Sequence, residues 1–204
     1  MNIHGLQKLT LLDYPGRVAC TVFLAGCNLR CPFCHNSELL DAAAAEPVMD
    51  DAALLRFLES RRGVLDGVAV TGGEPLMSPG LPALLDARLV DYVAVDIKNS
   101  PEKYARTCGL DALDLAPLRE SVALLLSDAP DYEFRTTVVR EMHDDSSFPG
   151  IGALIRGARR WFMQPFTDRD TVPFAGLHAP DGDTLRRWAE LVRPYVQEVG
   201  IRGE

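Results

Sequence analysis

Six short runs of β-branched and apolar residues recur along the 204-residue chain, separated by helix-patterned stretches, and this alternation limits the fold more than any other feature. They are Val18 to Leu24 (VACTVFL), Gly67 to Thr71 (GVAVT), Asp91 to Lys98 (DYVAVDIK), Glu133 to Val139 (EFRTTVV), Arg160 to Phe166 (RWFMQPF) and Val196 to Arg202 (VQEVGIR). Strands that alternate with helices pair in parallel, because a parallel neighbour is reached only through a long crossover. From Asp50, DDAALLRFLESRR places Ala53, Leu54, Phe57 and Leu58 on one helical face. A short helix is expected over Leu81 to Ala87; Pro101 and Pro117 can each open a helix, IGALIRGA forms another, and Thr184 to Tyr195 is the best defined. Six such strands are fewer than the eight of a closed barrel, which needs ~250 residues. The expectation is therefore an α/β fold, a partial (βα)6 TIM-like open barrel in one domain spanning 1–204, completed by residues 140–204.

Right-handed crossovers gather the C-terminal ends of parallel strands along one edge, where such folds carry their sites. The loop 25–36 follows the first run, TGGEP the second, Asp96 and Lys98 end the third, and Gln164 lies near the end of the fifth. These segments are expected to converge on one mouth. The biased stretch Asp41 to Pro47 reads as a surface loop, and no repeat or inter-domain linker interrupts the chain.

With 47% apolar and 25% charged residues the composition is that of a soluble globular protein. The opening MNIHGLQKLTLLDYPG has neither a basic leader with an apolar stretch nor an Arg-rich transit pattern, and no apolar run approaches the ~20 residues that span a bilayer. A cytoplasmic protein without membrane attachment is expected. The formal charge of -8 argues against general nucleic-acid binding, which draws its affinity from lysine and arginine displacing counterions; Arg156, Arg159 and Arg160 read as a solvated helix end.

Three of the five cysteines, Cys27, Cys31 and Cys34, fall within GCNLRCPFCHN. Disulfides use cysteines in pairs and a closed zinc site uses four ligands, so a tight trio leaves something unfilled by either scheme. Thiolates spaced C-x3-C-x2-C on a loop can wrap one face of an iron–sulfur cluster. A four-iron cube held by three of them keeps one iron open to a small molecule. Zinc with His35 as a fourth ligand is the competing reading, weakened because His35 directly follows Cys34; three separately buried thiols fit poorly among Gly26, Asn28, Arg30 and Pro32. Cys20 and Cys108 lack ligand spacing and read as structural.

GCNLRCPFCHN after the first strand, with TGGEP (Thr71 to Pro75) after the second, resembles the radical S-adenosylmethionine (SAM) enzymes. The resemblance implies that Cys27, Cys31 and Cys34 bind a [4Fe-4S] cluster whose open iron takes the amino and carboxylate groups of SAM. Reductive cleavage of SAM then gives a 5'-deoxyadenosyl radical that abstracts a hydrogen atom. It further implies that Phe33 lies beside the cluster or the adenine, that Thr71, Gly72, Gly73 and Glu74 form the cofactor turn, with Glu74 beside the methionyl amino group, and that Lys98 pairs with the methionyl carboxylate while Asp96 orients it or holds a cation. Residues two apart on a strand share a face, so Asp96 goes with Lys98 and Arg135 with Thr137. Arg135 and Thr137, rather than Thr136, are the expected cofactor residues, together with Gln164.

The longer pattern, LLDYPGRVACTVFLAGCNLRCPFCHN followed by VTGGEP and VAVDIK, is similar to the activating enzymes of glycyl radical enzymes, most of all those serving anaerobic ribonucleoside-triphosphate reductase. That likeness implies a partner protein whose glycine loses its α-hydrogen, and a low-potential electron donor such as flavodoxin or ferredoxin. LLDYPGR, with Asp13 and Arg17 flanking a Pro15–Gly16 turn, is the stretch expected to receive the glycyl loop. Two variants share the chemistry: activation of another glycyl radical enzyme such as pyruvate formate-lyase, and a small-molecule, deazapurine-like substrate. A non-enzymatic zinc-binding module is the alternative of a different class. His143 and His178 carry no defined role and read as structural or surface histidines.

Overall fold

The computed structural model describes residues 1–14, 16–43, 46–77, 91–128 and 131–203. These divide into two compact units, one within Met1–Arg30 and His35–Leu89, the other comprising Cys31–Cys34 and Val90–Glu204.

The first unit is a three-stranded sheet of β1 (Ile3–Thr10), β2 (Ala19–Leu24) and β3 (Gly67–Gly72), in that order. β2 and β3 run in parallel from Ala19↔Gly67 to Leu24↔Gly72, whereas β1 is antiparallel to β2. β1 was not expected. Its sequence, IHGLQKLT, has little apolar alternation because most of the strand is partly or fully exposed, with only Ile3 and Thr10 buried. Helix α1 (Asp51–Ser60) supplies the crossover and opens on Asp50, whose carboxylate accepts the Ala53 N–H at 2.6 Å. Leu54 is buried with Ile3, Val22 and Leu24, and Phe57 and Leu58 pack against this cluster, confirming most of the expected helical face.

The second unit is a wholly parallel sheet of β4 (Val93–Asp96), β5 (Tyr132–Val138), β6 (Arg160–Pro165) and β7 (Glu198–Ile201), in chain order. Its helices are α2 (Tyr104–Thr107), α3 (Ala116–Asp128), α4 (Ser147–Leu154) and α5 (Gly182–Val192). Helix α4 starts earlier than the expected IGALIRGA helix and stops at Leu154, ahead of a turn in which Gly157 takes φ +90°. Helix α5 likewise starts on its cap, the Asp181 side chain accepting the Thr184 N–H.

Alternation gives this sheet two unlike faces. Tyr132, Phe134, Thr136, Val138, Trp161 and Met163 are buried on one. There the Phe148 ring of α4 meets Trp161 edge-on at 6.3 Å and stacks on Trp188 of α5 at 4.7 Å. Thr136 belongs to this apolar face because its hydroxyl receives the buried Trp161 Nε1–H at 3.0 Å. The expected helix at Leu81 to Ala87 lies outside the described residues, as do Pro15 and part of the Asp41 to Pro47 stretch.

Candidate functional site

In the first unit the TGGE turn and the start of the cysteine loop are joined backbone to backbone. Gly73 N–H donates to Leu24 O (2.9 Å) and Glu74 N–H to Gly26 O (2.8 Å); Gly26 N–H and Cys27 N–H donate to Leu39 O and Leu40 O. The two glycines are needed for this lattice. A Cβ on Gly72, where φ is +128°, would sit 2.0 Å from Leu24 O, and one on Gly73 would sit 2.2 Å from Gly26 O. Their missing side chains thus make room for the backbone leading into Cys27, a demand separate from the cofactor turn that the resemblance implies. Thr71 pairs in register with Phe23, and Glu74 is partly buried. The Cys27 sulfur accepts the Leu29 N–H at 3.4 Å.

Cys31 and Cys34 belong to the second unit and form a single turn, Cys34 N–H donating to Cys31 O at 3.1 Å. Pro32 takes the second position, where its fixed φ favours turning, and Phe33 is buried. Cys31 is itself buried and hydrogen-bonded to Cys108, a residue that spacing had set aside as structural. That bond leads the causes that bring the Cys31 thiol down to about 7 against the opposing effect of burial, with the Lys98 ammonium assisting. Among the described residues, no group of three or more His, Cys, Asp or Glu side chains stands ready to hold a metal ion. The donor chemistry nevertheless fits a cluster, since Cys31 is poised to ionise and Cys27 takes a backbone N–H bond of the kind that stabilises thiolate ligands.

The second sheet's other face is charged. Lys98 Nζ donates to Asp96 Oδ2 at 2.8 Å, and Arg135 Nε lies 3.7 Å from Asp96 and 3.6 Å from Glu133. Arg202 Nη2 donates to Glu133 Oε2 at 2.5 Å while its guanidinium stacks on the Phe162 ring. Positive and negative groups therefore alternate from Arg202 through Glu133, Arg135 and Asp96 to Lys98. Burial alone would lower the Lys98 ammonium, but Asp96 and Cys31 outweigh it and hold it above ordinary lysine. The register pairs Asp96 with Arg135 and Thr137 with Gln164, so these four expected residues share this face. Glu133 and Arg202 escaped the sequence reading. Glu133 was legible in principle, because it precedes Arg135 by two positions on the same strand.

His143 is buried, its Nε2 donating to Lys98 O at 2.9 Å and its Nδ1 accepting Val139 N–H. It is the structural histidine expected, with burial pushing its pKa down. His178 is exposed and bonded to Glu141, also as expected. Asp13 accepts the hydroxyls of Thr10 and Thr21, while neighbouring Leu11 and Leu12 are 64% and 86% exposed.

Comparison with known proteins agrees with this chemistry. Residues 13–103 match the family described as a 4Fe-4S single cluster domain. MJ1227 of Methanocaldococcus jannaschii, a proposed glycyl-radical enzyme activating enzyme, is 24% identical over 98% of this chain and 95% of its own. Pyruvate formate-lyase-activating enzyme of Clostridium pasteurianum is 34% identical over 38% of this chain, and the anaerobic ribonucleoside-triphosphate reductase-activating protein of Escherichia coli K12 is 30% identical over 42%. The chain covers only 34% and 56% of these last two. A solved domain of pyruvate-formate lyase-activating enzyme from Bacteroides vulgatus superposes with a TM-score of 0.52 at 16% identity, covering 92% of this chain and 99% of that domain. Its fold shows the α/β class with parallel sheet, in agreement with the partial barrel expected.

These likenesses support the chemistry of [4Fe-4S] radical SAM oxidoreductases, with the cluster and SAM as the implied cofactors. Within it, the relatives support the glycyl-radical-enzyme activating family, without singling out the ribonucleotide reductase branch. Among the described residues no helix is long and apolar enough to cross a membrane.

Proposed function

We propose that the whole chain, 1–204, works as one radical SAM domain that activates a glycyl radical enzyme. Cys27, Cys31 and Cys34 would hold a [4Fe-4S] cluster, which on reduction cleaves bound SAM to the 5'-deoxyadenosyl radical that takes a glycine hydrogen from the partner. The carrying observation is the Cys31–Cys34 turn, with Cys31 and Phe33 buried in it, inside the segment similar to a 4Fe-4S single cluster domain. Glu74 receives the methionyl amino group and Lys98 the carboxylate, with Asp96 and Arg135 setting the charge around it. Thr71, Gly72 and Gly73 shape the turn, Phe33 excludes water, and Thr137 and Gln164 complete the cofactor contacts.

Anaerobic ribonucleoside-triphosphate reductase is the proposed partner. The matched pyruvate formate-lyase-activating enzyme keeps that lyase as the second reading. A flavodoxin or ferredoxin supplies the electron, and the cytoplasm is the proposed setting. The test is anaerobic reconstitution followed by iron, sulfide and zinc analysis. Cys27→Ala, Cys31→Ala and Cys34→Ala should each lose the cluster signal, and undiminished iron in Cys31→Ala would sink the ligand assignment. Mixing reduced enzyme and SAM with each candidate partner then identifies it by a glycyl doublet in electron paramagnetic resonance. For partner docking, Asp13 and Arg17 replaced together should weaken partner affinity and leave cluster and SAM binding intact; unchanged affinity removes that role.

A further inference from the structure

Glu133 projects from β5 onto the charged face with only 2% of its side chain exposed. An ionised carboxylate that deep is tolerated only with close partners. Arg202 is one, its Nη2 donating to Glu133 Oε2 at 2.5 Å. It reaches there from the end of β7 across the Phe162 ring, whose centroid lies 4.3 Å from the guanidinium carbon, and its own N–H bonds Met163 O at 2.9 Å. Gly200 leaves space for that ring, since a Cβ there would lie 2.8 Å from it.

The other carboxylate oxygen, Oε1, is buried without a hydrogen-bond partner, and so is Arg135 Nε, 3.6 Å away. Asp96 Oδ1 stands 3.7 Å from the same nitrogen. Two carboxylates thus flank Arg135, each just beyond hydrogen-bond reach. The register sets Asp96, Arg135 and Phe162 in one row across β4, β5 and β6, so the guanidinium is bounded within its row and, along its own strand, by Glu133. Both acids make their nearest approach at Nε. The Nη edge, which belongs to the fork with which arginine grips a carboxylate, lies outside both contacts.

We infer that Glu133 is a positioning residue for the cofactor: held by Arg202, it fixes Arg135 at Nε and so presents the Nη edge to the methionyl carboxylate of SAM. This rests on the proposed role of the charged face in receiving that carboxylate. Glu133 does not touch the cofactor and acts through Arg135.

The experiment is calorimetric titration of the anaerobically reconstituted protein with SAM and with decarboxylated SAM, which keeps the sulfonium and the amino group. The ratio of the two affinities reads the carboxylate's share of binding. Glu133→Gln retains an oxygen for Arg202 but turns an amide donor toward the Arg135 Nε–H. SAM affinity should fall about tenfold, within the range over which members of one charge network couple, while decarboxylated SAM binds as before. In an Arg135→Met background the same substitution should change neither affinity. If Glu133→Gln does not fold, Glu133→Leu combined with Arg202→Met removes both buried charges, leaves neither uncompensated, and carries the same expectation.

Equal losses for both ligands would make Glu133 a packing residue, and tighter SAM binding would mean that its charge merely opposes the carboxylate. A loss that persists in the Arg135→Met background would place its action elsewhere; each of these overturns the inference. A wild type that binds the two ligands equally defeats the proposed reading of the charged face and the inference together. A preference for SAM that Arg135→Met leaves intact removes Arg135, and Glu133 with it, from the carboxylate. A preference that Arg135→Met reduces and Glu133→Gln leaves intact defeats the inference alone.

Discussion

The two units are built from different material where their strands end. In the first, the ends of β2 and β3 are joined by main-chain hydrogen bonds, and the decisive residues are glycines that leave room for them. In the second, the charged face of β4 to β7 is made of side chains whose ion pairs alternate in sign. A backbone-built site fails by steric collision and tolerates almost no change. A side-chain site fails by degrees, because each ion pair can relax toward a neighbour.

The largest effect should therefore come from the smallest substitution. Gly73→Ala places a methyl 2.2 Å from Gly26 O, and the atom that must yield is backbone leading directly into Cys27. A loss of about 3 kcal/mol in urea unfolding is expected, at the upper end of ordinary overpacking costs, with cluster loading reduced alongside. Gly72→Ala should be at least as severe, since strain at φ +128° adds to the collision with Leu24 O. A Gly73→Ala protein with wild-type stability and iron would erase the contrast between the units.

Next in size is a test of face within the second unit. Thr136→Val leaves the buried Trp161 Nε1–H without its acceptor and should cost about 1–3 kcal/mol of stability while SAM affinity stays unchanged. Thr137→Val, on the charged face beside Gln164, should do the reverse: stability held within ~0.5 kcal/mol and SAM affinity reduced. Calorimetric binding and unfolding on the same two proteins separate these outcomes. Weaker SAM binding in Thr136→Val alone would assign the faces the other way round.

Much of this division could be read from sequence, and the gaps have physical causes. Six parallel strands were recognisable because buried parallel strands are continuous apolar runs, whereas β1 is antiparallel and largely exposed and lacks that signature. TGGE was visible as a turn, but a sequence cannot say that the obstacle to a side chain is the carbonyl of Gly26 from another strand's end. Asp96, Lys98, Arg135 and Thr137 were separable by period two; the register bears that out for Asp96, Arg135 and Thr137, and Lys98 bonds to Asp96.

His143 gives the smallest effect and the sharpest sign. Its imidazole is neutral and buried, linking the Lys98 carbonyl to Val139 N–H, with burial holding its pKa below the ordinary 6.5. Lys103 opposes protonation and Asp144 favours it, while the hydrogen-bonded carbonyls of Lys98 and Val139 also favour it. Below pH ~6.5 the unfolded chain takes up a proton that the folded chain still refuses, so the stability from neutral burial is complete above that pH. It is lost as pH falls toward the depressed folded value, by at most ~1.4 kcal/mol per pH unit. His143→Gln should therefore cost about 1 kcal/mol at pH 8, the scale of a lost buried hydrogen bond, with the gap to wild type narrowing as pH falls below 6.5. Carboxylate titrations are common to both proteins and cancel in the difference. Urea midpoints at pH 8, 6.5 and 5.5 measure it. A gap that stays constant over this range would mean that His143 supports the Lys98 carbonyl by packing alone, leaving the charged face without a neutral anchor beneath it.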